Sequence, residues 1–311
     1  MNKNLITYAG RLLLVVVMVQ GYYLYRISSH LEVLNNANYP TLNSNPVTDI
    51  QDNEFNNETV TVPDVRGEEI SYQVGEVTLT GYLAYDTNKT EQRPGVLVVH
   101  EWWGHNEYTR TRADMLAKMG YTAFALDMYG DGKLATHPVD AQKFMMEVLN
   151  QADVAQQRFV AAYQLLQTHY TTLADKISAI GYCFGGAVVL QMARNGLDLK
   201  GVASFHGNLS TQAPASEGVV SAKILVLHGA DDPFVPAEQI ETFKQEMNEA
   251  KVSYQFIAYS GAVHSFTNPG ATAIGEKFSL PLAYNKEADE QSWAELDSFL
   301  EQVYSSKFDN F

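Results

Sequence analysis

The chain has 311 residues, with 21 Lys and Arg against 36 Asp and Glu, a formal charge of −15. Such an acidic surface repels phosphate backbones and argues against nucleic acid as a partner. Hydrophobic residues at 46% and charged residues at 18% describe a globular core, and the single cysteine, Cys183, rules out an intramolecular disulfide framework and any Cys-cluster metal site.

The amino end differs from the rest. Leu12 to Val19 is an unbroken apolar run, preceded by Lys3 and Arg11 and followed by Tyr22, Tyr23 and Tyr25. Residues 1–30 are expected to form a secretory signal or a membrane anchor, which favours an exported or membrane-anchored location over a cytoplasmic one. A signal here lacks the small-residue cleavage pattern, and an anchor from Leu5 to Tyr25 has to accommodate Arg11. An amphipathic helix packed on the domain is the third reading. Residues 31–65, rich in Asn with no sustained apolar period, read as a polar linker. The folded domain is expected over 66–311.

Within that domain, Val77 to Tyr85 alternates like an antiparallel strand, and Gly95 to His100 is a continuous apolar run of the kind buried in parallel sheets. A helix is expected from about Asn106 to Met119, and a strand at Thr122 to Leu126. Helical patterning follows from His137 to Tyr170, broken near Asn150. Further strands are expected at Ile177 to Ile180, Gly201 to Phe205, Lys223 to Leu227 and Tyr254 to Ala258, and a closing helix at Ala288 to Val303. Strands alternating with helices imply an α/β fold, a doubly wound and mostly parallel sheet with helices on both faces. Ligands in such folds bind where loops leave the carboxyl ends of the strands.

Gly181-Tyr182-Cys183-Phe184-Gly185-Gly186 lies between an expected strand and an expected helix. That is the setting of the nucleophile elbow G-x-S-x-G, with cysteine in the serine position. A free thiol is only a few per cent ionised at neutral pH, and a helix terminus contributes roughly 0.3 to 1 kcal/mol, too little to make the thiolate dominant. A base is required. Candidates follow in the order acid, then histidine: His228-Gly229-Ala230-Asp231-Asp232-Pro233-Phe234-Val235-Pro236, and then Gly261-Ala262-Val263-His264-Ser265-Phe266. In this arrangement Asp232 orients His264, and His264 shuttles a proton between thiol and leaving group.

These motifs resemble the dienelactone hydrolase family, carboxymethylenebutenolidase-like proteins of the α/β-hydrolase fold, from about Val77 to the end of the chain. The resemblance implies Cys183 as nucleophile, His264 as base and Asp232 as acid, the last by the G-x-x-D-x-x-V-P pattern that begins at Gly229, with Asp231 as its close competitor. It also implies that Glu101, in His100-Glu101-Trp102-Trp103-Gly104, contacts the resting thiol, and that the backbone N–H groups of Trp102 and Phe184 form the oxyanion hole. Family members acting on dienelactone hold the substrate carboxylate with arginines, one of them shortly after the catalytic histidine. Here that stretch reads His264-Ser265-Phe266-Thr267-Asn268-Pro269, without arginine.

Trp103, Tyr129, Tyr182, Phe234 and Phe266 are candidates to line an apolar pocket for a small lactone or ester. The histidines His100, His105, His206 and His228 read as strand-end or loop residues with local hydrogen bonds, without metal-ligand spacing. No nucleotide-binding glycine motif is present, and no metal or organic cofactor is expected. The residues therefore point to a hydrolase opening a lactone or ester through a thioester acyl-enzyme. Two alternatives remain: a membrane-tethered binding module with a vestigial elbow, and a redox-sensing thiol.

Overall fold

The computed structural model describes residues 62–305. The expected signal or anchor and most of the expected linker lie outside these residues. Strand β1 (Val65–Val74) turns through Gly75 and Glu76 into β2 (Val77–Asp86), and the two pair antiparallel with Val74 opposite Val77. Gly75 takes φ 61°, a left-handed backbone that glycine adopts at little cost.

From β3 (Arg93–Val99) the chain crosses through α1 (Glu107–Lys118) to β4 (Thr122–Leu126). Asn106 starts α1 as its N-cap, accepting the Thr109 N–H at its side-chain oxygen. The long helical stretch is two helices, α2 (Pro138–Leu149) and α3 (Ala152–Thr168), split after Asn150 as expected. Strand β5 (Thr172–Tyr182) leads into α4 (Phe184–Arg194), and β6 (Gly201–Phe205) and β7 (Lys223–Gly229) follow. Helix α5 (Ala237–Glu249), β8 (Tyr254–Tyr259), α6 (Ala271–Phe278) and α7 (Lys286–Tyr304) complete the domain.

The eight strands form one sheet in the order β1-β2-β4-β3-β5-β6-β7-β8. Both pairings of β2 are antiparallel, and the five from β4 through β8 are parallel. Parallel strands must be covered on both faces, and they are. On one face Leu97, Val99, Phe124 and Leu126 pack with Phe159 and Leu166 of α3 and Val188 of α4. On the other, Val96, Val98, Ile180 and Leu225 meet Leu116 of α1 and Leu296, Phe299 and Leu300 of α7. Each such side chain removed from water contributes about 1.5–3 kcal/mol before the entropy of ordering it is counted.

Three departures from the sequence expectation have local causes. Strand β1 lies at the sheet edge with few apolar residues, so its alternation is faint. Strand β5 is longer than expected because its opening stretch includes exposed Ala174 and Asp175 and half-buried Lys176, which interrupt the apolar run. Helix α6 has eight residues, about two turns, which leaves little apolar repetition to read.

Candidate functional site

Five parallel strands end at one rim of the sheet and deliver Glu101 after β3, Cys183 after β5, His206 after β6, Asp232 after β7 and His264 after β8. The elbow is built by exclusion of side chains. A Cβ on Gly181 would stand 2.1 Å from the Gly185 carbonyl oxygen, and one on Gly185 would stand 2.3 Å from the Val99 carbonyl oxygen. Between them Cys183 adopts φ 54° and ψ −113°, a strained backbone that lifts its half-buried side chain above the start of α4. As the first residue of α4, Phe184 has an N–H outside the helical ladder.

His264 is buried, and its Nδ1 lies 2.7 Å from Oδ2 of Asp232. The other Asp232 oxygen accepts the Phe234 N–H at 2.8 Å, which fixes the carboxylate. Asp231, the competing acid, is exposed and uses its own N–H on the Ala262 carbonyl. With Nδ1 committed to Asp232, Nε2 is the ring nitrogen of His264 that remains to take up or give a proton. Burial alone would push the His264 pKa down. The charge and hydrogen bonds of Cys183 and Asp232 outweigh it and hold the imidazole well above its ordinary value.

Glu101 departs from the contact that the resemblance implies. Its Oε1 accepts from Ser265 Oγ at 2.8 Å and its Oε2 from Asn268 Nδ2 at 2.6 Å. Two short donors on the His264 loop draw the carboxylate to that loop. Burial raises the Glu101 pKa, and these two hydrogen bonds partly offset it. Asn268 is spent as well, because its Oδ1 accepts the Gly270 N–H at 2.9 Å.

The backbone before Trp102 is held by His100. Its Nε2 accepts the Met128 N–H at 3.1 Å, which leaves Nδ1 to donate to the Glu101 carbonyl at 2.6 Å. Tyr129 donates its hydroxyl to the Trp102 carbonyl at 3.0 Å and packs on Phe184. Trp103 lies edge-on to Trp102 and stacks on Phe278 of α6, so these rings make an apolar wall. Phe234 is 45% exposed and meets His264 edge-on at 5.0 Å.

Tyr182 and Phe266 do not line a pocket. Both are fully buried beneath the rim, Tyr182 between Tyr108 and Phe205 and Phe266 against His206 and Tyr259. Tyr182 immediately precedes the elbow on β5, and the alternation of side chains along a strand sends it to the face opposite Gly181 and its neighbours. Ser265 and His206 were not expected at the site. The visible signal for them is position alone: one follows His264, and the other ends a parallel strand. Among the described residues, no group of three or more His, Cys, Asp or Glu side chains is placed to hold a metal ion.

A mostly parallel sheet flanked by helices, with a strained elbow where β5 meets α4, defines an α/β-hydrolase. The chain belongs to the dienelactone hydrolase family, whose model matches residues 79–304. It is a dienelactone hydrolase-like carboxylic ester hydrolase. A crystal structure of a dienelactone hydrolase-like promiscuous phosphotriesterase from metagenomic libraries is similar at a TM-score of 0.72 and 30% identity, covering 77% of this chain and 98% of the other. A putative carboxymethylenebutenolidase of Aquifex aeolicus is 27% identical over 206 residues, 65% of this chain and 87% of the relative. A probable 2-oxo-3-(5-oxofuran-2-ylidene)propanoate lactonase of Bradyrhizobium is 28% identical over 187 residues, 57% of this chain and 75% of the relative.

Proposed function

We propose that the protein hydrolyses a lactone or small carboxylic ester through a thioester on Cys183. The observation that carries this reading is Cys183 at a strained elbow on the same rim as a buried imidazole that Asp232 holds at 2.7 Å. The thiol gives its proton to Nε2 of His264, and the sulfur adds to the substrate carbonyl carbon. The N–H groups of Phe184 and Trp102 then receive the oxyanion, and one such donor is typically worth about 3–4 kcal/mol of transition-state stabilisation. On collapse of the intermediate, the carbon–oxygen bond to the leaving group breaks and imidazolium protonates the alkoxide. Neutral His264 next takes a proton from water as hydroxide adds to the thioester; collapse breaks the carbon–sulfur bond, the carboxylic acid leaves, and imidazolium returns its proton to sulfur.

The substrate favoured is one without a carboxylate beside the scissile bond. Asn268 falls in the stretch after His264 where the resemblance implies an arginine, and both ends of its amide are already engaged, with Glu101 and with the Gly270 N–H. The Glu101 side chain that Asn268 engages supplies no cation either. Half-buried Trp102, with Trp103 beside it, and exposed Phe234 supply apolar surface for an uncharged acyl or alkoxy group.

A panel of lactones, aryl esters and thioesters, assayed with wild type and Cys183→Ala, tests the reading. The expected result is a burst of phenol from an aryl ester that disappears in Cys183→Ala. No burst at any chain length would favour a binding module. Peroxide-reversible loss of thiol labelling, coupled to a change in partner binding and without turnover, would favour a redox role.

A further inference from the structure

His206, the residue after β6, has no role in the steps above, yet its surroundings are specific. Its backbone sits at φ 41°, where a non-glycine residue is strained, and its N–H is pinned to the Leu227 carbonyl at 2.8 Å. This turn buries the ring, with the residue 1% exposed. There Nδ1 accepts the Cys183 backbone N–H at 3.1 Å. An acceptor at Nδ1 puts the ring proton on Nε2, which donates to Thr267 Oγ1 at 2.8 Å. Thr267 Oγ1 is also 2.7 Å from the Tyr108 hydroxyl, and the Thr267 carbonyl accepts from Arg112. The His206 and His264 rings meet edge-on, with centroids 5.3 Å apart.

This chain of contacts joins the main chain of the thiol residue to the loop that carries His264. We propose that His206 is a positioning residue, a rigid spacer that sets the reach between the Cys183 sulfur and the His264 imidazole. It touches no reacting atom. Burial, then the positive charges of His264 and Arg112, hold His206 well below its ordinary pKa, so it stays a neutral acceptor while its neighbour takes the proton. A proton on Nδ1 would set a donor against the Cys183 N–H. That N–H keeps a second partner, the Phe205 carbonyl at 3.0 Å, so loss of the imidazole is expected to loosen the elbow without unfolding it.

The inference rests on Cys183 as nucleophile, and the test separates the two. His206→Phe, His206→Asn and Thr267→Val are made in the full chain. The readouts are kcat and KM on 4-nitrophenyl acetate, the rate of Cys183 alkylation by iodoacetamide, and the melting temperature. Asparagine tolerates positive φ, and its Oδ1 reproduces the acceptor near Nδ1. His206→Phe is expected to lose roughly 10- to 100-fold in kcat with little change in KM, as small misplacements of reacting groups do. Alkylation should slow in parallel. His206→Asn should recover most of the loss, and Thr267→Val should lose roughly 3- to 10-fold in kcat by freeing the ring's far end.

Wild-type kcat in His206→Phe, or a loss that falls on KM, overturns the proposal. So does His206→Asn as slow as His206→Phe when both melt like wild type. If His206→Phe does not fold, Thr267→Val decides, and wild-type kcat there overturns the proposal. Turnover that survives Cys183→Ala sinks the nucleophile reading itself, whereas thiol-dependent turnover indifferent to residue 206 sinks only the spacer.

Discussion

Asn268 holds Oε2 of Glu101 at 2.6 Å, and both residues are buried. An amide thus stabilises a carboxylate on the same rim as the thiol and imidazole, and it is consumed in doing so.

Removing that amide in Asn268→Leu should destabilise the fold by about 1–3 kcal/mol, the usual cost of an orphaned buried acceptor. The loss should grow with pH. Burial has already raised the Glu101 pKa, so the native state holds its proton more tightly than the unfolded chain, and stability falls as pH rises from the unfolded value of 4.5 through the folded one. Loss of a hydrogen bond raises the folded value further. Urea denaturation at pH 4 and pH 7 checks this, and an equal loss at both contradicts it.

His264 carries the opposite dependence. Its folded pKa lies well above the ordinary 6.5, so the stability it contributes is fully present below 6.5 and fades as pH rises through the folded value. His264→Gln should therefore be less stable than wild type at pH 6, with a gap that narrows toward pH 9. Its ester turnover should fall roughly 100-fold or more, the scale of a lost general base. A stability gap that widens with pH would refute the assignment.

Gly181→Ala places a methyl 2.1 Å from the Gly185 carbonyl oxygen, backbone against backbone, with nothing flexible to yield. A cost of about 3 kcal/mol or more is expected from such overpacking, together with loss of ester turnover. Chemical denaturation and a turnover assay measure the two effects separately.

Much of this architecture is legible in the residues. The buried run at Val96–Val99, the Asn106 cap, the break at Asn150 and the glycines around Cys183 each announce a local structure that tertiary packing leaves intact. The order Cys183, Asp232, His264 matches the order in which β5, β7 and β8 reach the rim. What escapes is set by contacts between distant segments. Nothing in the composition near Glu101 foretells that Ser265 and Asn268 engage both of its oxygens, and the aromatic ring of Tyr182 gives no sign of which face of β5 it takes. Strand β1 is hidden for another reason: an exposed edge strand needs little apolar alternation.

Arg112 braces the His264 loop from behind. Its guanidinium pairs with Asp289 at 2.6 Å, donates to the Thr267 carbonyl, and lies over the Tyr108, Tyr182 and Trp293 rings. Arg112→Met leaves Asp289 without its buried partner, and a loss of about 3–5 kcal/mol is expected. Arg112→Lys should rescue little, since an ammonium reproduces neither the planar fork nor the stacking. Thermal melts of both variants test this, and a lysine variant melting like wild type would contradict it.

The central claim is that the acyl group is carried on sulfur. Protein mixed with 4-nitrophenyl acetate, quenched in acid within the burst and digested, is read by peptide mass spectrometry. One acetyl group on the peptide containing Cys183, labile to hydroxylamine and missing from His264→Gln at the same time point, is the predicted result. Rapid ester turnover with an unmodified Cys183 peptide, or with acetyl on a different residue, would contradict it.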